Sequence, residues 1–284
     1  MAIVMKGKPV ADAISEKLTT EVVELKSKGI SPKLTIIRVG AKGSDLAYER
    51  GALKRCESIG ILTQVVELPE DITEENFVKE IEKANKDKET HGILVFRPLP
   101  AQIGENVPRV AVDPAKDVDC MSPINFGKVF EGNTSGFGPC TAEAVVELLK
   151  HYEVAIKGTD VTVVGASPVI GKPVSMMLLN EFATVSTCHI FTKNTAAISS
   201  QSDVVVSACG VAKLIKAGHL KEGAIVVDVG INVLPDGTMC GDVAYDEVFD
   251  KVKAITPVPG GIGAITTSIL ASHVVKACKL QNNL

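Results

Sequence analysis

The segment VTVVGASPVIGKPV, residues 161–174, constrains this chain more than any other. A β-branched apolar run ends at Gly165, a turn of small residues follows, and helical spacing begins at Gly171. Glycine suits a strand that turns tightly where backbone approaches a pyrophosphate, and the next helix offers its N-terminal N–H groups to the anion. Ser167 adds a hydroxyl. The spacing is G-x-S-x-x-x-G rather than G-x-G-x-x-G, so taken alone it reads equally as a plain tight turn. The surroundings favour the first reading. ATVSTCHIF, DVVVSAC and AIVVDVGI continue as strands, giving the repeated β-α units of a dinucleotide-binding domain.

Upstream, strand-like and helix-like segments also alternate. ADAISEKLTTEVVELKSKG reads as a helix, KLTIIRVG as a strand and residues 44–59 as a helix closed by Gly60. TQVVELPE is a strand, EENFVKEIEKANKD an amphipathic helix, and HGILVFRPLP a buried strand stopping at Pro98. This order predicts parallel sheets with helices on their faces. The glycine-rich GKVFEGNTSGFGPCT marks a boundary, and TAEAVVELLKHY a connecting helix. The expected fold is α/β in two domains, 1–141 and 142–266, with a C-terminal helix at 267–284 returning to the first.

Charge and cysteine content exclude several classes. A net charge of −4 gives no basic face for nucleic acid or a membrane surface. With no tryptophan, aromatic platforms for single strands are not expected. No apolar stretch reaches membrane-spanning length, and the N-terminus has polar residues too early for a signal peptide. The seven cysteines form no CxxC and no Cys/His zinc spacing, so they are expected to be buried small hydrophobes in a reducing cytoplasm, with no metal.

VVGASPVIGKPVSMMLL, KDVDCMSPINFG, PCT, DVGIN, GDV and TPVPGGIGAIT, in this order, resemble the methylenetetrahydrofolate dehydrogenase/cyclohydrolase family across nearly the whole chain. The resemblance implies an N-terminal folate domain, a Rossmann-type dinucleotide-binding domain, a cleft between them, a nicotinamide cofactor (NAD or NADP), tetrahydrofolate as substrate carrier and a homodimer. It implies substrate contacts from Tyr48, Phe96, Pro98, Leu99, Asp119, Pro259, Gly260 and Gly261, with Tyr48 and Asp119 catalytic. Cofactor contacts are implied at Thr141, Gly165, Ala166, Ser167, Ile170, Gly171, His189, Ile190, Cys209, Gly210, Ile231, Gly263 and Thr266.

The chain departs from the family at two places. The family's loop reads G-R-S, its arginine binding the 2′-phosphate of NADP; Ala166 stands there, and a methyl group cannot neutralise a phosphate. Ile190 replaces a serine that meets the same phosphate. These changes favour NAD, unless Lys172 or Lys193 supplies the charge. On the folate side the family pairs tyrosine with lysine in Y-x-x-x-K, and a glutamine in V-Q-L-P-L-P holds that lysine. Here Tyr48 is followed by Ala52, and Phe96 replaces the glutamine. At about 3.6 residues per turn, Lys54 points elsewhere while Arg55 returns to the Tyr48 face.

Hydride loss from 5,10-methylenetetrahydrofolate needs alignment above all, whereas water addition to the methenyl cation needs proton shuttling. The leading expectation is therefore an NAD-dependent dehydrogenase with cyclohydrolase activity weak or absent. The alternatives are an ordinary NADP-dependent bifunctional enzyme in which Tyr48, Arg55 or Arg97 compensates, a non-catalytic folate-binding relative, and a dehydrogenase of another small acid.

Overall fold

The computed structural model describes residues 2–284, apart from the side chain of Ser44. In chain order the strands are β1 (Ile3–Val4), β2 (Lys33–Val39), β3 (Leu62–Leu68), β4 (Gly92–Val95), β5 (Asp160–Val164), β6 (Thr184–Cys188), β7 (Val204–Ser207), β8 (Ile225–Asp228), β9 (Asn232–Val233), β10 (Met239–Cys240) and β11 (Ala254–Ile255). The helices are α1 (Gly7–Ser27), α2 (Gly43–Ile59), α3 (Glu74–Lys86), α4 (Val107–Ala111), α5 (Pro123–Glu131), α6 (Cys140–His151), α7 (Gly171–Asn180), α8 (Thr195–Ser199), α9 (Tyr245–Val248) and α10 (Thr266–Gln281).

These elements form two compact units. One comprises Ala13–Val129, Asn133–Cys140 and Thr267–Leu284. Its sheet has the order β3-β2-β4 with every pairing parallel. The central strand, KLTIIRV, is buried at six successive positions from Leu34 to Val39, as a strand covered on both faces must be. Helix α3 begins at Thr73, whose hydroxyl accepts the Asn76 N–H at 3.3 Å. Its apolar stripe puts Phe77, Ile81 and Ala84 into a core with Ile37, Ile93 and Val95. Burying Phe77 completely contributes about 2–3 kcal/mol. The C-terminal helix belongs to this unit, where the Gln281 amide donates to the His91 carbonyl at 2.8 Å and Lys279 pairs with Glu21 at 2.7 Å.

The other unit carries a six-stranded sheet, ordered β1-β11-β8-β7-β5-β6 and wholly parallel. The chain turns from β5 outward to β6, then back to β7 on the other side of β5. That reversal is the topological switch point at which doubly wound sheets bind ligands. Val164, Val205, Val226 and Ile255 carry its core.

The structure corrects the expected boundaries in several places. The chain up to Asp12 was expected in the N-terminal domain; instead β1 pairs with β11 as an edge strand of the six-stranded sheet. The strand expected through Phe191 stops at Cys188, because Thr192 Oγ1 accepts the His189 N–H at 2.9 Å and turns the chain. The two-residue strands of the β9–β10 hairpin and short α4 were not foreseen, being too short for periodicity to register. Cys56, Cys120, Cys140, Cys188 and Cys278 are buried, and burial pushes the Cys56 thiol up to about 12. Among the described residues no helix is long and apolar enough to cross a membrane.

Candidate functional site

In the three-stranded unit, Tyr48 and Ala52 lie on α2 and Phe96 follows β4. The Phe96 N–H donates to the Ile37 carbonyl at 3.1 Å, extending the β2–β4 pairing by one residue. This fixes its ring against Tyr48, edge to face, with centroids 5.9 Å apart. Ala52 is 0 % exposed and Phe96 8 %, so a methyl and a ring fill positions where the resembling family carries an ammonium and an amide. Lys54 is exposed. Arg55 is engaged elsewhere: its guanidinium donates to the Ser15 hydroxyl on α1 at 2.9 Å. Pro98 is exposed and its carbonyl accepts from Lys42 Nζ at 2.9 Å, while Leu99 packs partly against the core. Helix α2 is pinned by buried Arg38, which donates to Glu49 at 2.9 Å and reaches Glu67 at 3.0 Å.

KDVD, residues 116–119, is a scaffold for its last member. Lys116 Nζ donates to the carbonyls of Ala84, Asn85 and Asp87, capping α3. Asp117 is 0 % exposed and accepts from the N–H groups of Met121 and Ser122, both at 2.8 Å, and from the Asn125 amide at 3.0 Å. The Val118 carbonyl faces His273 Nδ1 of α10 at 2.8 Å. Asp119 is left partly open, a quarter of its side chain exposed, with Arg97 NH2 3.7 Å from its carboxylate. Burial raises the Asp119 carboxyl above its usual range; Arg97 and the Cys140 thiol oppose that, Asp117 adds to it, and His273 opposes it.

In the six-stranded unit, Gly165, Ala166, Ser167, Ile170, His189, Ile190, Cys209, Gly210 and Ile231 lie in loops after a strand's carboxyl end, while Gly171 opens α7 and Gly263 sits in a single 3₁₀ turn. Thr141 is in the first turn of α6 and Thr266 opens α10. Gly165 has φ +124°, and a Cβ on Gly171 would lie 1.9 Å from the Gly165 carbonyl oxygen, so only glycine closes this turn. The Ser167 hydroxyl accepts from the Ile170 N–H at 3.1 Å, and its carbonyl from Lys172 N–H at 3.0 Å. Ala166 is half-buried. Across β6, Ile190 is 89 % exposed and Phe191 83 %, beside His189, whose Nδ1 accepts the Phe191 N–H at 3.2 Å. These two loops thus carry a methyl, a sec-butyl and a benzyl group at Ala166, Ile190 and Phe191. Lys172 and Lys193 are both exposed. A Cβ on Gly263 would stand 3.9 Å from Ile231 Cδ1, so these two expected cofactor residues are neighbours, and Thr266 donates to the Gly263 carbonyl at 3.3 Å. Pro259 and Gly260 are exposed, while Gly261 is buried.

The structure also explains the aspartates of two motifs, which had no assigned role. Asp242 of GDV accepts from the N–H groups of Cys209 at 2.8 Å and Gly210 at 3.1 Å and from the Asn232 amide at 2.9 Å. Asp228 of DVGIN accepts from the N–H groups of Gly230, Asp242 and Val243 at 2.9, 3.0 and 2.9 Å. A Cβ on Gly241 would sit 1.9 Å from Asp228 Oδ2, hence glycine there. Burial pushes the Asp228 carboxyl up to about 6 against those three donors. The two carboxylates tie together the loops after β7 and β8, where the expected cofactor residues Cys209, Gly210 and Ile231 stand. Nothing local in sequence pairs residues so far apart.

A parallel sheet with a glycine turn at its switch point, in a chain that also carries a part-buried carboxylate in a separate α/β unit, is the arrangement of a two-unit α/β protein of the dinucleotide-binding class. Residues 5–119 match the catalytic domain of tetrahydrofolate dehydrogenase/cyclohydrolase, and residues 139–282 match its NAD(P)-binding domain. A relative from Alkaliphilus metalliredigens, called bifunctional protein FolD, is 60 % identical over the full length of both chains. The crystal structure of the bifunctional FolD enzyme from Campylobacter jejuni superposes with a TM-score of 0.97 at 42 % identity, covering 100 % of each chain. That of Trypanosoma brucei FolD, complexed with NADP and an inhibitor, gives 0.93 at 36 % identity, covering 100 % of this chain and 99 % of that one. The chain belongs to the tetrahydrofolate dehydrogenase/cyclohydrolase family.

Proposed function

We propose that this protein oxidises 5,10-methylenetetrahydrofolate to 5,10-methenyltetrahydrofolate with NAD as acceptor, and adds water to the product slowly or not at all. The observation that carries this reading is the pair of apolar groups beside Tyr48: buried Ala52 on the same helix face and Phe96 against the ring.

Bound nicotinamide supplies the hydride acceptor. The residues of the six-stranded unit fit such a ligand: the Gly165–Gly171 turn and the N-terminus of α7 suit a pyrophosphate. Asp119, held by the KDVD scaffold, accepts paired N–H groups of the pterin, and Tyr48 and Phe96 offer an aromatic flank. The folate's own nitrogens expel the hydride, so orientation is what these residues contribute. Water addition instead requires a group that moves a proton near neutral pH, and neither a methyl nor a phenyl group can do so. Ala166 and Ile190 favour NAD, since neither can pair with a 2′-phosphate. We further propose a homodimer; β3, an edge strand exposing Leu62 and Val65, offers a pairing surface.

A second reading, an NADP-dependent bifunctional enzyme, is favoured by the relatives: the Alkaliphilus protein is called bifunctional and the Trypanosoma structure holds NADP. The purified protein, mixed with 5,10-methylenetetrahydrofolate and either NAD or NADP, separates the two. Reduced NAD with accumulating methenyl product is expected; preferential reduction of NADP with rapid loss of the methenyl absorbance would establish the second reading.

A further inference from the structure

We propose that Arg97 is a positioning residue that keeps the Asp119 carboxylate ionised and open-handed for a ligand edge bearing two N–H donors. The inference rests on the folate reading of Asp119 given above, and deepens it by assigning a residue that is leucine in the family's V-Q-L-P-L-P pattern.

Asp119 needs such help. Its surroundings bury it enough to disfavour charge, and buried Asp117, two residues away, adds like charge. Around it stand Arg97 after β4, Asp117 in its own loop, the Cys140 thiol at the start of α6 and His273 on α10. Of the two groups able to carry positive charge, His273 has Nδ1 committed to the Val118 carbonyl at 2.8 Å. Only arginine is charged at every working pH. A protonated Asp119 would present an O–H to the same donor edge it should accept, which repels rather than binds.

The separation matters as well. At 3.7 Å, Arg97 NH2 lies beyond hydrogen-bond range of Oδ2. It therefore lowers the cost of the negative charge without occupying an acceptor site, as a bidentate fork would. The contact is also firmly based. Phe96 is tied by its N–H to Ile37 and by its ring to Tyr48, so the residue after it leaves the sheet in one direction. On the other side, Asp117 fixes the loop that carries Asp119 through three donors. Arg97 keeps a third of its side chain exposed and Asp119 a quarter, so the pair remains open on one side.

The test uses the full chain and the variants R97L, R97Q and R97K. Carboxyl carbon-13 resonances of the ligand-free protein are titrated, with Asp119 assigned from its loss in D119N. The expected result is an upward shift of the Asp119 midpoint in R97L and R97Q, and its restoration in R97K. In steady state, KM for methylenetetrahydrofolate in R97L rises severalfold more at about pH 5.5 than at about pH 8, with kcat changed less. A merely structural role moves KM and kcat alike at every pH and leaves the R97K midpoint as displaced as that of R97L. An Asp119 midpoint unchanged in R97L and R97Q overturns the proposal; if R97L does not fold, R97Q carries the titration. Absence of any oxidation by the unmodified protein would overturn the folate reading alone, since the titration needs no substrate.

Discussion

Phe96 stands edge-on to Tyr48 with ring centroids 5.9 Å apart, on the same side of the unit as buried Ala52. A methyl and a ring thus fill the places where the resembling family carries a lysine and a glutamine. Restoring both in the A52K/F96Q variant should restore proton shuttling, and methenyl hydrolysis should rise by about 10²-fold over the unmodified protein. The single A52K variant should instead lower stability by about 1–3 kcal/mol, because the ammonium enters a buried position without its amide partner. Methenyl decay and thermal melting of the three proteins check both statements.

The nucleotide side makes a separate prediction. A166R, combined with I190S, supplies a fork and a hydroxyl for a 2′-phosphate. The kcat/KM ratio of NADP to NAD should rise by about tenfold or more. If it does not move, a cation elsewhere already serves that phosphate.

Asp242 anchors the turn after β7 through the N–H groups of Cys209 and Gly210. In D242A those donors lose their partner, at a cost of about 2–4 kcal/mol, and Kd for the dinucleotide should weaken. Calorimetry of binding and urea unfolding of the variant measure the two effects; unaltered affinity would show the turn to be held by other means.

Acid stability has an identifiable contributor. The Thr90 hydroxyl at 2.7 Å and the Glu89 N–H, with Lys33 at 3.1 Å, hold the Asp87 carboxyl down at about 2 against the opposing effect of burial. A depressed folded value means stability that is present above the unfolded value of about 3.9 and is lost as pH falls toward about 2. With a third of the side chain exposed, solvent screening leaves about 1 kcal/mol. D87N should be less stable by that amount at neutral pH, and the difference in urea midpoints should narrow between about pH 4 and about pH 2.

The strands and long helices were legible because their signals are local. The seven residues of β2 are an unbroken apolar and β-branched run, and α3 announces itself with a threonine cap and an apolar stripe. The glycine turn at 165–171 was legible for the same reason. Other features were not. The edge position of β1 depends on Ile3 and Val4 finding β11, some 250 residues later, and two residues carry no period. The Asp228–Asp242 braces join motifs through backbone donors that no side-chain pattern marks. Arg97 drew notice only as a residue that could compensate for the missing lysine, whereas its guanidinium faces Asp119. Arg55 looked equally available by helical angle, and a hydroxyl on another helix holds it.

The most direct test of the account is the decay of authentic 5,10-methenyltetrahydrofolate with and without the purified protein, compared with the rate at which the same preparation forms it. The account predicts decay close to the spontaneous rate, in a preparation that reduces NAD briskly with the methylene substrate. Protein-dependent decay as fast as the oxidation would contradict it, and would mean that another group moves the proton that Ala52 and Phe96 cannot.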